Sequence, residues 1–351
     1  MPILTTTIGA YPKPHYVPIP DWFQHESTTA KDPTRALDEC DYGNGSELER
    51  LLDRGTQEVV REQVELGIHV PTDGEVRREN YIHYNCRNMK GFNFSRLTQK
   101  SMRDGQWLVS VPTIDQRVEA GDEFLVRDWQ IAQAATDRPV KITIPGPLTI
   151  MDSTFDACYN DDKKLAMDLA LAINREILRL TDKGCCWIQI DEPIFARKVD
   201  EALAYGIENL ERCFHNVPDH LDRSVHICCG YPDRVDSVDY LKASPDSYTR
   251  LASALDSAAI DAISIEDAHN PADLKLLELF SRKTVILGVV GIARSRIESV
   301  EEITLRLEDA LNHIDSSRLM AAPDCGLGML SKKQVRAKLQ NMVQAAAACG
   351  G

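Results

Sequence analysis

Short β-branched runs alternate with stretches of helical period along this chain. The runs that read as strands are 3–8 (ILTTTI), 68–72 (IHVPT), 140–144 (VKITI), 186–190 (CWIQI), 224–228 (SVHIC), 262–266 (AISIE), 284–290 (TVILGVV) and 318–322 (RLMAA). Each has the length and near-continuous apolar character of a strand buried on both faces. Between them, Leu165, Leu169, Ile173, Ile177 and Leu180 recur on one helical face, as do Val300, Ile303, Leu307, Leu311 and Ile314. Ser331 and Gln334 stand three apart, the spacing of a capping box, ahead of an apolar stripe of Val335, Leu339, Met342 and Val343. Eight strands alternating with helices predict an α/β fold, a closed (β/α)8 TIM barrel.

Two stretches depart from the alternation. Residues 11–45 are rich in Pro, His and acids and read as a long first βα loop. Residues 80–135 follow the second strand and contain the alternating Trp107-Leu108-Val109-Ser110-Val111, which suggests a hairpin insertion. Long βα loops of a barrel lie at its catalytic mouth, so both are expected at the pocket rim. No Pro/Ser-rich linker divides the chain, and residues 1–351 read as a single barrel domain.

Composition narrows the function classes. The 351 residues carry 40 Lys+Arg against 54 Asp+Glu, a formal charge of −14, which repels nucleic acid and anionic membranes on average. No run approaches 18 apolar residues, and Met1-Pro2-Ile3-Leu4-Thr5-Thr6-Thr7 lacks a charged segment followed by an apolar core, so a cytoplasmic protein is expected. In that reducing compartment ten cysteines do not make a disulfide framework. A chemically active cysteine would therefore be a metal ligand or a nucleophile.

Side chains at the C-terminal ends of barrel strands converge on one mouth. Here the second strand runs out at Asp73-Gly74-Glu75, the fourth at Asp191-Glu192-Pro193, the fifth at His226-Ile227-Cys228-Cys229, the sixth at Glu266-Asp267 and the eighth at Pro323-Asp324-Cys325-Gly326. His226 and Cys228 are two apart on a strand and share a face. With Glu266 and Cys325 they make one imidazole, two thiolates and a carboxylate, a donor set suited to tetrahedral Zn2+. Cys185 and Cys229 read as small buried hydrophobes.

The ordered motifs resemble the catalytic barrel of the cobalamin-independent methionine synthase family over nearly the whole chain, most closely its short single-barrel members. The resemblance runs through Thr5-Thr6-Thr7-Ile8-Gly9-Ala10-Tyr11-Pro12, Asp73-Gly74-Glu75, Pro145-Gly146-Pro147-Leu148-Thr149-Ile150, Ile188-Gln189-Ile190-Asp191-Glu192-Pro193, His226-Ile227-Cys228, Ile263-Ser264-Ile265-Glu266 and Pro323-Asp324-Cys325-Gly326. It implies zinc at His226, Cys228, Glu266 and Cys325, and methyl transfer to the thiol of homocysteine. It also implies that Glu75 and Asp191 hold the acceptor's ammonium, while the backbone of Ile8-Gly9-Ala10 holds its carboxylate. The family has Ser where this chain has Ala10, a change that backbone contacts survive. The plain structural role for Asp191-Glu192-Pro193 is capping of a helix N-terminus by its acids.

The methyl-donor side departs from the family pattern. Family enzymes that use polyglutamylated folate fuse two barrels, and this chain carries the catalytic one. Ser153 stands where the family stacks a Trp on the pterin, and Gly291-Ile292-Ala293 replaces an Asp-Ile-His motif whose His protonates the folate nitrogen. A methylated nitrogen leaves poorly without a proton, so the expected donor leaves without one, a methylcorrinoid or a sulfonium; the resemblance to short single-barrel members favours the first, methylcobalamin or a methylated corrinoid protein. Arg294 and Arg296 would bind an anionic group if they reach the mouth. Two alternatives stand beside this reading. One is a zinc alkyltransferase for another thiol of the coenzyme M type, whose sulfonate has no ammonium for Glu75 and Asp191. The other is a barrel of the uroporphyrinogen decarboxylase kind, without zinc.

Overall fold

The computed structural model describes residues 2–19, 45–102, 107–232, 234–238, 240–244 and 246–349. Its main sheet holds seven parallel strands: β1 (Leu4–Thr5), β4 (Ile142–Pro145), β6 (Trp187–Asp191), β7 (Asp222–Ile227), β8 (Ala262–Glu266), β9 (Thr284–Val290) and β10 (Leu319–Pro323), in the order β1-β10-β9-β8-β7-β6-β4. The two edges meet through the segment 68–72, which bridges Thr6 to Val70 on one side and Thr72 to Lys141 on the other, both parallel. Eight parallel segments thus close a TIM barrel. The second one pairs at single bridges rather than along a continuous ladder.

Strand alternation sorts the residues between two apolar clusters. Ile8, Val70, Ala262, Ile286, Met320 and Ala322 pack together inside the barrel, while their neighbours Ile263, Ile265, Val285, Leu287 and Ala321 pack outward against the helices. Positions in step with Ala262 on β8 are Ser264 and Glu266, so the barrel's apolar floor gives way to polar groups toward the strand ends.

The helices form where the apolar stripes predict. Leu165, Leu169, Ile173, Ile177 and Leu180 are all buried in the helix Asp162–Asp182, which starts with the Asp161 side chain accepting from Lys164 N–H. In the helix Val300–Leu311, Ile303 and Leu307 are buried, and Ser299 and Glu302 form a capping box. Ser331 and Gln334 form the expected one at the start of Lys332–Ala348. Among the described residues no helix is long and apolar enough to cross a membrane.

The insertion after the second strand is a hairpin. β2 (Met89–Met102) and β3 (Trp107–Ala120) pair antiparallel from Met89↔Ala120 to Met102↔Trp107, and the short β5 (Phe155–Asp156) adds parallel to β3. Lys100 ties the hairpin to the βα loop after β4 by donating to the carbonyls of Met151 and Thr154, each at 2.8 Å. Of the first loop, residues 20–44 lie outside the described residues. In the part before them, the N–H of Tyr11 donates to Gly74 O at 3.0 Å and Lys13 donates to Arg78 O at 2.7 Å, so the first two loops are stitched together.

Candidate metal centre and acceptor pocket

β7 delivers His226 near its end, and Cys228 follows just beyond it; Cys325 follows β10. Their ligand atoms lie within 4.8 Å of one another. The imidazole is oriented by its ladder partner: Nδ1 of His226 shares a hydrogen bond with Ser264 Oγ at 2.9 Å. The other ring nitrogen, Nε2, is buried and has no hydrogen-bond partner. A buried polar atom without a partner is costly, whereas a metal-binding His commonly points one nitrogen at the ion and fixes the other through a second partner. This orphaned nitrogen among two thiols fits a thiophilic divalent ion such as Zn2+.

The two thiols are electrostatically linked. A hydrogen bond from Cys325 and the neighbouring His226 hold the Cys228 thiol well below its usual range, against the opposing effect of burial. The same hydrogen bond, with burial, pushes Cys325 up. Within the pair, ionisation is easier at Cys228 than at Cys325. Tyr231 borders this pair, and its hydroxyl donates to Asp324 O at 3.1 Å.

Glu266, the fourth residue of the expected set, stands outside that triangle. It is fully buried; Oε2 accepts from Cys229 N–H at 2.8 Å and Oε1 takes the Lys242 ammonium. Cys185 and Cys229 are fully buried, and all nine cysteines among the described residues are free thiols.

Asp191 ends β6 as the ladder partner of His226, beside the thiol cluster, and Glu75 feels its charge. Glu75 Oε1 accepts from Thr143 Oγ1 at 2.7 Å and faces the buried Arg78 guanidinium at 3.5 Å, while Arg78 also holds Asp73 at 3.2 Å and Thr143 O at 2.8 Å. Burial raises Glu75 to about 7 despite Arg78, with Asp191 and Asp73 adding to the rise. Burial likewise raises Asp191 to about 6, opposed by His226 and by the 2.7 Å hydrogen bond from Gln189. Gln189 is itself set by the fully buried Lys141, whose Nζ donates to Gln189 Oε1 at 2.6 Å and which burial lowers to about 7. Two buried carboxylic acids with raised affinity for protons suit a ligand that brings its own positive charge.

The Ile8-Gly9-Ala10 turn faces these acids. Its carbonyls are engaged, by Gln189 Nε2 (2.7 Å), Thr72 Oγ1 (2.9 Å) and Leu327 N–H (2.6 Å) respectively. A Cβ on Gly9 would come within 2.8 Å of Glu75 Oε1, so only glycine lets the turn approach the acid. Glu75 is itself at φ 54°, a strained conformation for a non-glycine residue and one that concentrates at binding sites.

Several site residues escape sequence reasoning. Tyr81 feels the charges of Asp191, Cys325, Cys228 and Glu75, which puts its phenol between the acids and the thiols. Arg78 and Lys141 are buried cations, and charged side chains are read from sequence as surface. The capping role does exist for Glu192 alone: its carboxylate accepts from Leu148 N–H, Thr149 N–H and Thr149 Oγ1 at the start of the helix Pro147–Asp152. Arg296 is spent on Glu302, and Arg294 donates to the carbonyls of Ala268 and His269.

The family model for the catalytic domain of cobalamin-independent synthase matches residues 3–348. The chain belongs to this family. Among family members, the methionine synthase of Sulfolobus acidocaldarius is 29% identical over 343 residues, 97% of this chain and 90% of that one. That of Saccharolobus islandicus is 30% identical over 351 residues, 98% and 94% of the two chains. A solved B12-independent methionine synthase from Shewanella sp. W3-18-1, in complex with selenomethionine, superposes with a TM-score of 0.85 at 28% identity, over 99% of this chain and 97% of that one. A putative relative from Listeria monocytogenes, at 19% identity and a TM-score of 0.71, shares the fold.

Proposed function

We propose that this chain is a zinc-dependent methyltransferase that methylates the thiol of homocysteine to give methionine, with a methylcorrinoid as donor. The observation that carries the reading is the buried His226 imidazole, whose Nε2 has no hydrogen-bond partner, clustered with Cys228 and Cys325 so that one ligand atom from each lies within 4.8 Å of the others. Family members named methionine synthase, one of them solved with selenomethionine, support homocysteine as acceptor.

Bound at His226, Cys228 and Cys325, zinc would supply a Lewis acid that keeps an acceptor sulfur as thiolate at neutral pH. The chain's own groups do the rest. Glu75 and Asp191 pair with the acceptor's ammonium, Arg78 and Thr143 hold Glu75 in place, and Gln189 holds Asp191. The Gly9 and Ala10 N–H groups, whose carbonyls are already engaged, orient the acceptor's carboxylate. The acceptor sulfur then forms its bond to the methyl carbon as the donor's bond to that carbon breaks, and the electron pair leaves with the donor. The buried Ala293 offers no proton, and its N–H is taken by His269 Nε2 at 3.2 Å, so a donor that departs unprotonated is favoured.

A thiol of the coenzyme M type is the second reading; its sulfonate would face two acids, and like charge disfavours it. Metal analysis and titration separate these. Protein purified without chelator should hold about one zinc per chain, with most of it lost in Cys325→Ala or His226→Ala and retained in Cys229→Ala. Homocysteine should bind at least tenfold tighter than 2-mercaptoethanesulfonate. Zinc-free wild-type protein would overturn the metal reading, and equal or reversed thiol preference would overturn the acceptor.

A further inference from the structure

Lys141 is a buried cation that the proposed chemistry leaves unused. It stands just ahead of β4, bridged to Thr72, and two residues before Thr143, so that both side chains lie on the same face of the strand. It is fully buried, and among the described residues its Nζ has one hydrogen-bond acceptor, Gln189 Oε1 at 2.6 Å. The charge it feels is that of Asp191. Taking an ammonium out of water costs stability that one neutral acceptor does not restore, so stability alone does not account for a lysine here.

What Lys141 settles is the direction of an amide. A lysine nitrogen brings N–H groups, so the oxygen of the Gln189 amide is the atom that faces it, and the two Nε2 protons point the other way. They donate to Ile8 O and to Asp191 Oδ1, both at 2.7 Å. A reversed amide would set N–H against N–H at the lysine and oxygen against oxygen at the carbonyl and the carboxylate. The Ile8-Gly9-Ala10 turn has other ties, from Thr72 Oγ1 to Gly9 O and from Leu327 N–H to Ala10 O. Asp191 has no such reserve: among the described residues Gln189 is the one hydrogen-bond donor to its carboxylate.

We propose that Lys141 is a positioning residue for the acceptor: by fixing the Gln189 amide it aims Asp191 at the ligand's ammonium, and so sets how strongly the pocket prefers an amino acid over the same molecule without its amino group. This rests on the acceptor reading given under Proposed function. Lys141 acts through Gln189 and Asp191 rather than on the ligand itself.

The test is isothermal titration of the zinc-loaded full-length chain with L-methionine and with 4-(methylthio)butanoate, which keeps the thioether and the carboxylate and lacks the ammonium. The variants are Lys141→Met, Gln189→Met and the double substitution, with Lys141→Leu replacing Lys141→Met throughout if circular dichroism shows the methionine variant misfolded. Wild type should prefer methionine. In Lys141→Met that preference should fall about tenfold, the scale of a hydrogen bond to a charged group, while affinity for the butanoate changes less than about threefold. Adding Lys141→Met to Gln189→Met should lower the preference no further. A purely structural role would weaken both ligands alike, and that result overturns the proposal. So does an unchanged preference in Lys141→Met, or a further drop in the double variant, which would mean that Lys141 acts by a route other than Gln189. Failure of the acceptor reading looks different: wild type itself would show no preference for methionine, and the proposal would fall with it.

Discussion

Gly9→Ala isolates the acceptor pocket from the metal site. The new methyl carbon would lie 2.8 Å from Glu75 Oε1, about 0.6 Å short of the 3.4 Å at which ordinary contact begins. The turn has little room to retreat, because its three carbonyls are tied to Gln189, Thr72 and Leu327. The carboxylate must yield instead, and the displaced oxygen is the one that accepts from Thr143 at 2.7 Å. A hydrogen bond to a charged group contributes about 1.5–3 kcal/mol, and about 1.4 kcal/mol corresponds to tenfold in affinity, so an amino-acid acceptor should bind roughly 10- to 100-fold more weakly. The proposed zinc ligands come from β7, the residue just after it and the turn after β10, so zinc content should stay at the wild-type level. Isothermal titration of the zinc-loaded variant with methionine or homocysteine reads the first quantity, and metal analysis reads the second. Wild-type affinity in Gly9→Ala would refute the placement of the ligand's ammonium against Glu75; parallel loss of zinc would refute the independence of the two sites.

Other outcomes follow from the same geometry. Burial lifts Glu75 to about 7 and Asp191 to about 6, so the unliganded fold binds protons that the unfolded chain has already released. These two acids therefore favour the fold at low pH and withdraw that stability as pH rises toward neutrality. An ammonium ligand needs both ionised, so methionine affinity should rise between about pH 5.5 and 8, and Glu75→Gln should flatten the rise; a flat wild-type profile would contradict the pairing. Ser299→Ala removes the capping box of the helix Val300–Leu311 and should cost about 1 kcal/mol in denaturant unfolding, while Leu169→Ala, in the fully buried stripe, should cost about 2–5 kcal/mol. A cost for Leu169→Ala no larger than that for the cap would contradict its assignment to the core.

Much of the barrel was legible because parallel strands buried on both faces need continuous β-branched runs. The bounds 262–266 and 284–290 match β8 and β9 residue for residue. The second segment was legible as an apolar run, yet it holds its neighbours only by the bridges at Val70 and Thr72, because pairing there is set by the two flanking strands rather than by its own side chains. His226 and Cys228 were legible through alternation, and Cys325 through its place at a strand end. Their approach to within 4.8 Å depends on barrel closure, which spacing alone does not measure. Glu266 was legible as a strand-end acid, but its engagement by Lys242 was not, since that cation arrives on a loop without periodicity. Arg78 and Lys141 were missed for a related reason. Charged residues give no sign in sequence of being buried, and these two are interior because Asp73, Glu75 and Gln189 satisfy them there.

The donor comparison tests the central claim most directly. Zinc-loaded protein is given homocysteine with either methylcobalamin or methyltetrahydrofolate, and methionine formation is followed with a chelator-treated control. The account predicts methionine from methylcobalamin, faster than from the folate, and none after zinc removal. No methionine from either donor, or full activity in the zinc-free control, would contradict zinc-dependent methylation of homocysteine; equal or faster turnover with the folate would contradict the donor drawn from Ser153 and Ala293.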